Sequence, residues 1–172
     1  MTDTTPQSMT LEQKQKTIRA FFLANAAAPL IYMAVCELLI RFVFKAGHPG
    51  YVGLPAATYN LLRIAAYAIA AVETILIVSV KSSLNSGSPS GAAAFLLKQK
   101  VKGSTDDMMA AQGFLILILA FCTSIAIYGL ALFLLNGVRQ DSYPLMILGV
   151  VLCLLFDPTK ENLDKIIALR KI

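Results

Sequence analysis

The chain reads as an all-α, polytopic membrane protein with four transmembrane helices, both termini in the cytoplasm and a short C-terminal amphipathic helix. Three observations predict this. First, no charged residue lies between Asp107 and Arg139, and residues 114–135 are apolar apart from the step Cys122-Thr123-Ser124. A helix needs about 20 apolar residues to cross the hydrocarbon of a bilayer, and nothing in water requires so long an unbroken apolar surface. Second, 57% of the 172 residues are hydrophobic and only 15% charged, with a mean hydropathy of +0.68, too apolar for an ordinary soluble domain. Third, the basic residues fall almost entirely on one side of the four apolar runs, as the positive-inside rule requires.

Taken in order, residues 1–9 are expected to be disordered, and no cleavable signal peptide is expected because residues 1–16 are polar. Thr10-Leu11-Glu12-Gln13 fits a capping box, in which Thr10 caps a helix and Gln13 reaches back. The first span covers residues 20–44 and carries Asn25 and Pro29, so a kink is expected near Asn25. A Gly/Pro/Tyr-rich loop follows, then a strongly alanine-rich second span over residues 57–80. The polar connection 81–107 contains a flexible serine-rich stretch and a short amphipathic segment near residues 92–102, suited to lying on the membrane surface. Ser104 to Asp107 supply a cap and negative charge for the third span, residues 109–136. After Gly137 a turn, residues 138–144, leads to a fourth apolar run at 143–156, a thin span or a re-entrant segment by its length; a span is expected, with Tyr143 at one interface. Asp157-Pro158 ends it and caps an amphipathic tail, residues 157–172, with Leu163, Ile166 and Ile167 on one face. The whole is a single membrane domain.

With four spans, one side holds Lys14, Lys16, Arg19, Lys81, Lys98, Lys100, Lys102, Lys160, Lys165, Arg170 and Lys171. The other holds Lys45 and Arg139, with Arg41 and Arg63 near helix ends. Both termini and the long loop are therefore expected in the cytoplasm, and the expected location is the inner membrane of a bacterium. The net charge of +5 belongs to this topology signal and to an anionic leaflet, not to nucleic acid. Cys36, Cys122 and Cys153 each sit in an apolar run without a paired spacing and read as small buried hydrophobes. His48 stands alone, so no metal site is expected, and no haem or iron–sulfur pattern implies a cofactor.

Two carboxylates fall inside apolar spans. A charge at the centre of a membrane helix costs about 2.5 kcal/mol or more even on lenient insertion scales, so each calls for a partner or a function. Glu37 precedes Arg41 by one helical turn, and Arg63 enters the second span at about the same depth; a Glu37, Arg41 and Arg63 cluster pinning the first two helices is expected. Glu73 has no basic residue within a turn, the nearest being Lys81. It is solvated by headgroups and Lys81, protonated and hydrogen-bonded to another helix, or an exchanger of protons or cations. Thr74, Thr123 and Ser124 offer oxygen ligands or interhelical hydrogen bonds.

The stretch from Thr123 to Gly137, with its run Ile127-Tyr128-Gly129-Leu130, resembles the carboxylate-bearing helix of the rotor-ring proteolipids, the c or K subunits of rotary ATPases. The resemblance implies an outward-running helix in an ion-translocating protein, with the ion carrier four positions before that run. Here the position is Thr123, whose hydroxyl cannot serve as a proton carrier, the second span has alanines in place of a glycine repeat, and the connecting loop is longer. Leu30 to Ala34 also echoes Ala126 to Leu130 in the third span, as a duplicated hairpin or as chance.

Two functions follow from these readings. One is an accessory or structural subunit of a larger inner-membrane complex, packing against other membrane subunits through small residues such as Ala65, Ala66, Ala68, Ala70 and Ala71. The other is a proteolipid-like subunit that moves protons or sodium using Glu73 with Thr123 and Ser124. A membrane enzyme has no motif to support it: no paired histidines, no nucleophile with a base, no phosphate loop.

Overall fold

A computed structural model describes residues 11–43, 53–88, 91 and 107–170, and among these the chain is all-helical. The principal elements are α1 (Leu11–Phe42), α2 (Ala56–Ser86), α3 (Asp107–Asn136), α4 (Arg139–Leu154) and α5 (Lys160–Arg170). Three of them, α1, α2 and α3, contain stretches long and apolar enough to cross a membrane. The expected Thr10 cap, His48, the surface segment near residues 92–102, the Ser104 cap and the N-terminal residues 1–9 lie outside the described residues.

The fourth element differs from expectation. Its 16 residues extend about 24 Å at 1.5 Å per residue, and among the described residues it is not one of the three apolar spans. Most of the expected turn at 138–144 is helical instead, since α4 begins at Arg139. The real turn is only Gly137-Val138: Gly137 takes a left-handed φ of 68°, which costs glycine nothing, and Val138 is extended. Ser142 Oγ then donates to the Val138 carbonyl at 2.8 Å and closes the first turn of α4. Pro144, the sixth residue of α4, lies inside the helix, which continues through it.

Such a short turn forces α3 and α4 into a tight antiparallel pair, and small residues let their backbones approach. A Cβ added at Gly129 would stand 2.5 Å from the Ser142 carbonyl oxygen, and one at Gly149 would stand 2.8 Å from that of Cys122. Cys122 and Cys153 are free thiols buried in the described structure. Against this pair, α1 packs on α3 and α4, and α2 on α3, α4 and α5, whereas α1 and α2 share no substantial interface with each other. The stripe of alanines on α2 is therefore divided: Ala70 is buried against the protein and Ala66 half-buried, while Ala65, Ala68 and Ala71 face outward.

α1 is continuous through Pro29, and Asn25 Nδ2 donates to the Phe21 carbonyl one turn earlier at 2.8 Å. At the opposite end of the bundle α5 folds back onto α2 and α3, with Leu163 and Ile166 buried in the main core together with Val80, Leu84 and Phe156. Ile167 packs on the same core half-buried, so the amphipathic face read from the sequence is the face that docks. The cap of α5 is Thr159, not Asp157: Thr159 Oγ1 accepts from the Asn162 N–H at 3.3 Å, while the Asp157 carbonyl accepts from Asn162 Nδ2 at 2.7 Å. Lys81 Nζ lies 5.3 Å from the centroid of the Phe156 ring and closes this end.

Candidate functional site

The chemistry of the apolar region is concentrated where α3 carries its polar step. Successive helix residues point about 100° apart, so three in a row address three directions. Cys122 turns to α4, where its carbonyl meets Gly149. Thr123 Oγ1 turns to α1 and donates to Asn25 Oδ1 at 2.9 Å, sharing its hydrogen with the Leu119 carbonyl, also at 2.9 Å. Ser124 Oγ turns to α2 and meets Glu73 Oε2 at 2.8 Å.

Glu73 has a second donor on the same helix. Tyr128, one turn beyond Ser124, donates its hydroxyl to Glu73 Oε1 at 3.0 Å, so each carboxylate oxygen has one hydroxyl. The nearest charges along α2 are Arg63, ten residues before, and Lys81, eight residues after, roughly 15 Å and 12 Å away along the axis. Both are engaged elsewhere, Arg63 with Asp141 and Lys81 with Asn162, and among the described residues Glu73 forms no ion pair with a Lys or Arg. Ser124 is also 2.8 Å from the Phe121 carbonyl. Its single hydrogen can serve only one acceptor fully. With Glu73 ionised the hydrogen belongs on Oε2; with Glu73 protonated the acid can donate to Ser124 Oγ while Ser124 donates to Phe121. In either arrangement both the Ser124 hydroxyl and the carboxyl keep hydrogen-bond partners.

The structure thus joins Glu73 and Ser124 directly and sends Thr123 to a different helix. Tyr128 is the member that the sequence reading missed as a partner, although its i, i+4 relation to Ser124 places both on one face of α3.

The expected Glu37, Arg41 and Arg63 cluster does not form. Glu37 Oε2 pairs with Arg139 Nη2 at 2.8 Å, and its Oε1 accepts from the Tyr143 hydroxyl. Arg63 Nη1 pairs instead with Asp141 Oδ1 at 3.2 Å. The Tyr59 hydroxyl donates to Asp141 Oδ2 at 2.9 Å and the Tyr67 hydroxyl to the Asp141 carbonyl at 2.9 Å. Arg41 is exposed. The reason is the placement of α4: its first turn stands where the two outer helices would have met. Arg139 and Tyr143, four apart, share a face and grip α1, whereas Asp141 points the other way and is gripped by Tyr59, Arg63 and Tyr67, spaced four apart on α2.

Among the described residues no group of three or more His, Cys, Asp or Glu could hold a metal ion. No protein-family model, curated protein or solved structure matches this chain.

Proposed function

We propose that the protein is a four-span subunit of a larger complex in the bacterial inner membrane, with both termini cytoplasmic, packing against unlike membrane subunits and serving a structural or accessory role. The observation that carries this reading is the outward face of α2. Ala65, Ala68 and Ala71 are uncovered there, beside Leu61, Val72 and Ile75, each about two-thirds exposed. Small residues at such a face allow another helix close approach, which in a bilayer is a principal source of association energy. The strong Lys and Arg bias supports the orientation, and the apolar face of α4 supports its inclusion as a thin fourth span. The test is the mass of the native assembly after gentle extraction, with Ala68→Leu as the variant. A hetero-complex that loses its partners in Ala68→Leu is the expected result; wild-type protein running as a bare monomer would remove this reading. Ala70→Leu is unsuitable because Ala70 is only 1% exposed, so the change would strike the protein's own core.

A second reading rests on Glu73. A carboxylate inside an apolar span, held by the two hydroxyls of Ser124 and Tyr128, is equipped to take up and release a proton; the run Ile127-Tyr128-Gly129-Leu130 resembles that of the rotor-ring helix, with Glu73 on the neighbouring helix standing in for the acid that Thr123 replaces. This reading makes the protein a proteolipid-like ion-translocating subunit. It requires Glu73→Gln to abolish transport while insertion and assembly persist, and it expects a ring of many identical copies in the mass measurement.

A further inference from the structure

The open side of α3 points to a specific partner. Ile116, Ile127 and Leu134 are exposed by 41%, 46% and 48%, and Ala120 and Ala131 of the same helix are also exposed. At about 100° per residue these five positions fall on one stripe, and that stripe lies between the direction of Thr123, which meets α1, and that of Ser124 and Tyr128, which meet α2. α1 and α2 therefore stand on either side of an uncovered strip of α3 and share no substantial interface. Around α3 they are separated by about 120°, which at an interaxial spacing of about 9 Å puts their axes about 16 Å apart. That is close to two helix–helix spacings, the gap that one further helix fills.

The polar groups lie at the margins of this groove. Asn25 and Thr123 border one wall, Ser124 and Glu73 the other, and all four are half-buried. Glu73 is held by hydroxyls and, among the described residues, by no cation. Hydroxyls solvate a carboxylate less well than an opposite charge, and a charge in hydrocarbon is stable only when paired or protonated.

We propose that the groove between α1 and α2 receives a transmembrane helix of an unlike subunit carrying a Lys or Arg that pairs with Glu73. The small Ala120 and Ala131 in its floor allow the incoming backbone to approach, and Glu73 selects the partner by charge. This rests on the subunit reading above and adds to it where the partner sits and what chemistry it carries.

The experiment places the photo-crosslinker benzoylphenylalanine at Ala120 or Ala131, and separately at Leu61 on the outer face of α2, in the full chain in its own membrane. The expected result is one captured protein from the groove positions whose crosslinked peptide is an apolar helix containing Lys or Arg. Glu73→Gln should lower the yield about tenfold, and Glu73→Lys combined with the partner's basic residue changed to Glu should restore it. Ala120→Phe, which fills the floor but leaves Glu73 and its hydroxyl donors intact, should also abolish capture. A crosslinked peptide without a basic residue, capture of a second copy of this chain, or a yield unchanged in Glu73→Gln would overturn the proposal. Protein capture at Leu61 with lipid alone in the groove would overturn it and leave the subunit reading standing; lipid alone at every position would end both.

Discussion

Thr123 and Ser124 are neighbours in the chain yet tie α3 to different helices: Thr123 Oγ1 donates to Asn25 on α1 at 2.9 Å, and Ser124 Oγ to Glu73 on α2 at 2.8 Å. Two consecutive hydroxyls in an otherwise apolar span thus fix the azimuths of both flanking helices. Interhelical hydrogen bonds between membrane helices are individually modest, about 0.6 kcal/mol on average and up to about 1.7. Their value here is directional, since each names its partner.

From this follows a double-mutant cycle between Glu73→Gln and Ser124→Ala. We expect a coupling of about 0.5–1.5 kcal/mol in the folding free energy measured in micelles. The cycle between Glu73→Gln and Thr123→Val should be additive within about 0.5 kcal/mol, because Thr123 serves α1. Equal couplings in the two cycles would contradict the division of labour.

The charged pairs at the other end permit a similar discrimination. Glu37→Ala and Arg139→Ala should couple, and so should Asp141→Ala and Arg63→Ala, each by about 0.2–1 kcal/mol because the groups are partly exposed. Glu37→Ala with Arg63→Ala should add. Chemical denaturation of the four single and three double variants provides the comparison, and coupling between Glu37 and Arg63 would restore the cluster that the sequence suggests.

Close approach of α3 and α4 makes glycine replacement at their crossing expensive. Gly129→Ala and Gly149→Ala set a methyl against backbone oxygen, and each should destabilise by about 1–3 kcal/mol. Gly113→Ala, whose new methyl would meet nothing within 4 Å, should be neutral or stabilising by up to about 1 kcal/mol through helix propensity. Thermal unfolding followed by circular dichroism ranks the three, and a Gly113→Ala as damaging as the others would undo the packing argument.

In α5 the Lys165 ammonium donates to Glu161 Oε1 at 2.6 Å, one turn along the helix. The hydrogen bond and charge of Lys165 hold the Glu161 carboxyl below its ordinary value. A carboxyl lowered on folding stabilises above its unfolded pKa, and that contribution is lost as pH falls through the lower folded value. The pair should therefore support α5 at neutral pH and weaken below about pH 4.3, the usual glutamate value. A carbon-detected titration should find the Glu161 midpoint below that of an unpaired glutamate, and Lys165→Gln should raise it; no change in that variant would show the pairing to be inconsequential.

The sequence alone determined that the protein is helical and apolar enough for a bilayer, because runs such as residues 114–135 leave no other economical way to satisfy the backbone in lipid. It also singled out Glu37 and Glu73 as groups in need of partners, since the cost of a charge in hydrocarbon depends only on where it falls in a span. The docking face of α5 was legible too, from the spacing of Leu163, Ile166 and Ile167. What only the tertiary structure decided was who meets whom. Periodicity gives the direction of a side chain about its own helix and carries no information on which helix stands there, so Glu37 was matched to Arg41 and Arg63 on the assumption that consecutive spans pack together. The two-residue turn at Gly137-Val138 and the glycines of the α3–α4 crossing bring α4 between α1 and α2 instead. That placement hands Glu37 to Arg139 and Arg63 to Asp141, and leaves Glu73 facing the hydroxyls of α3.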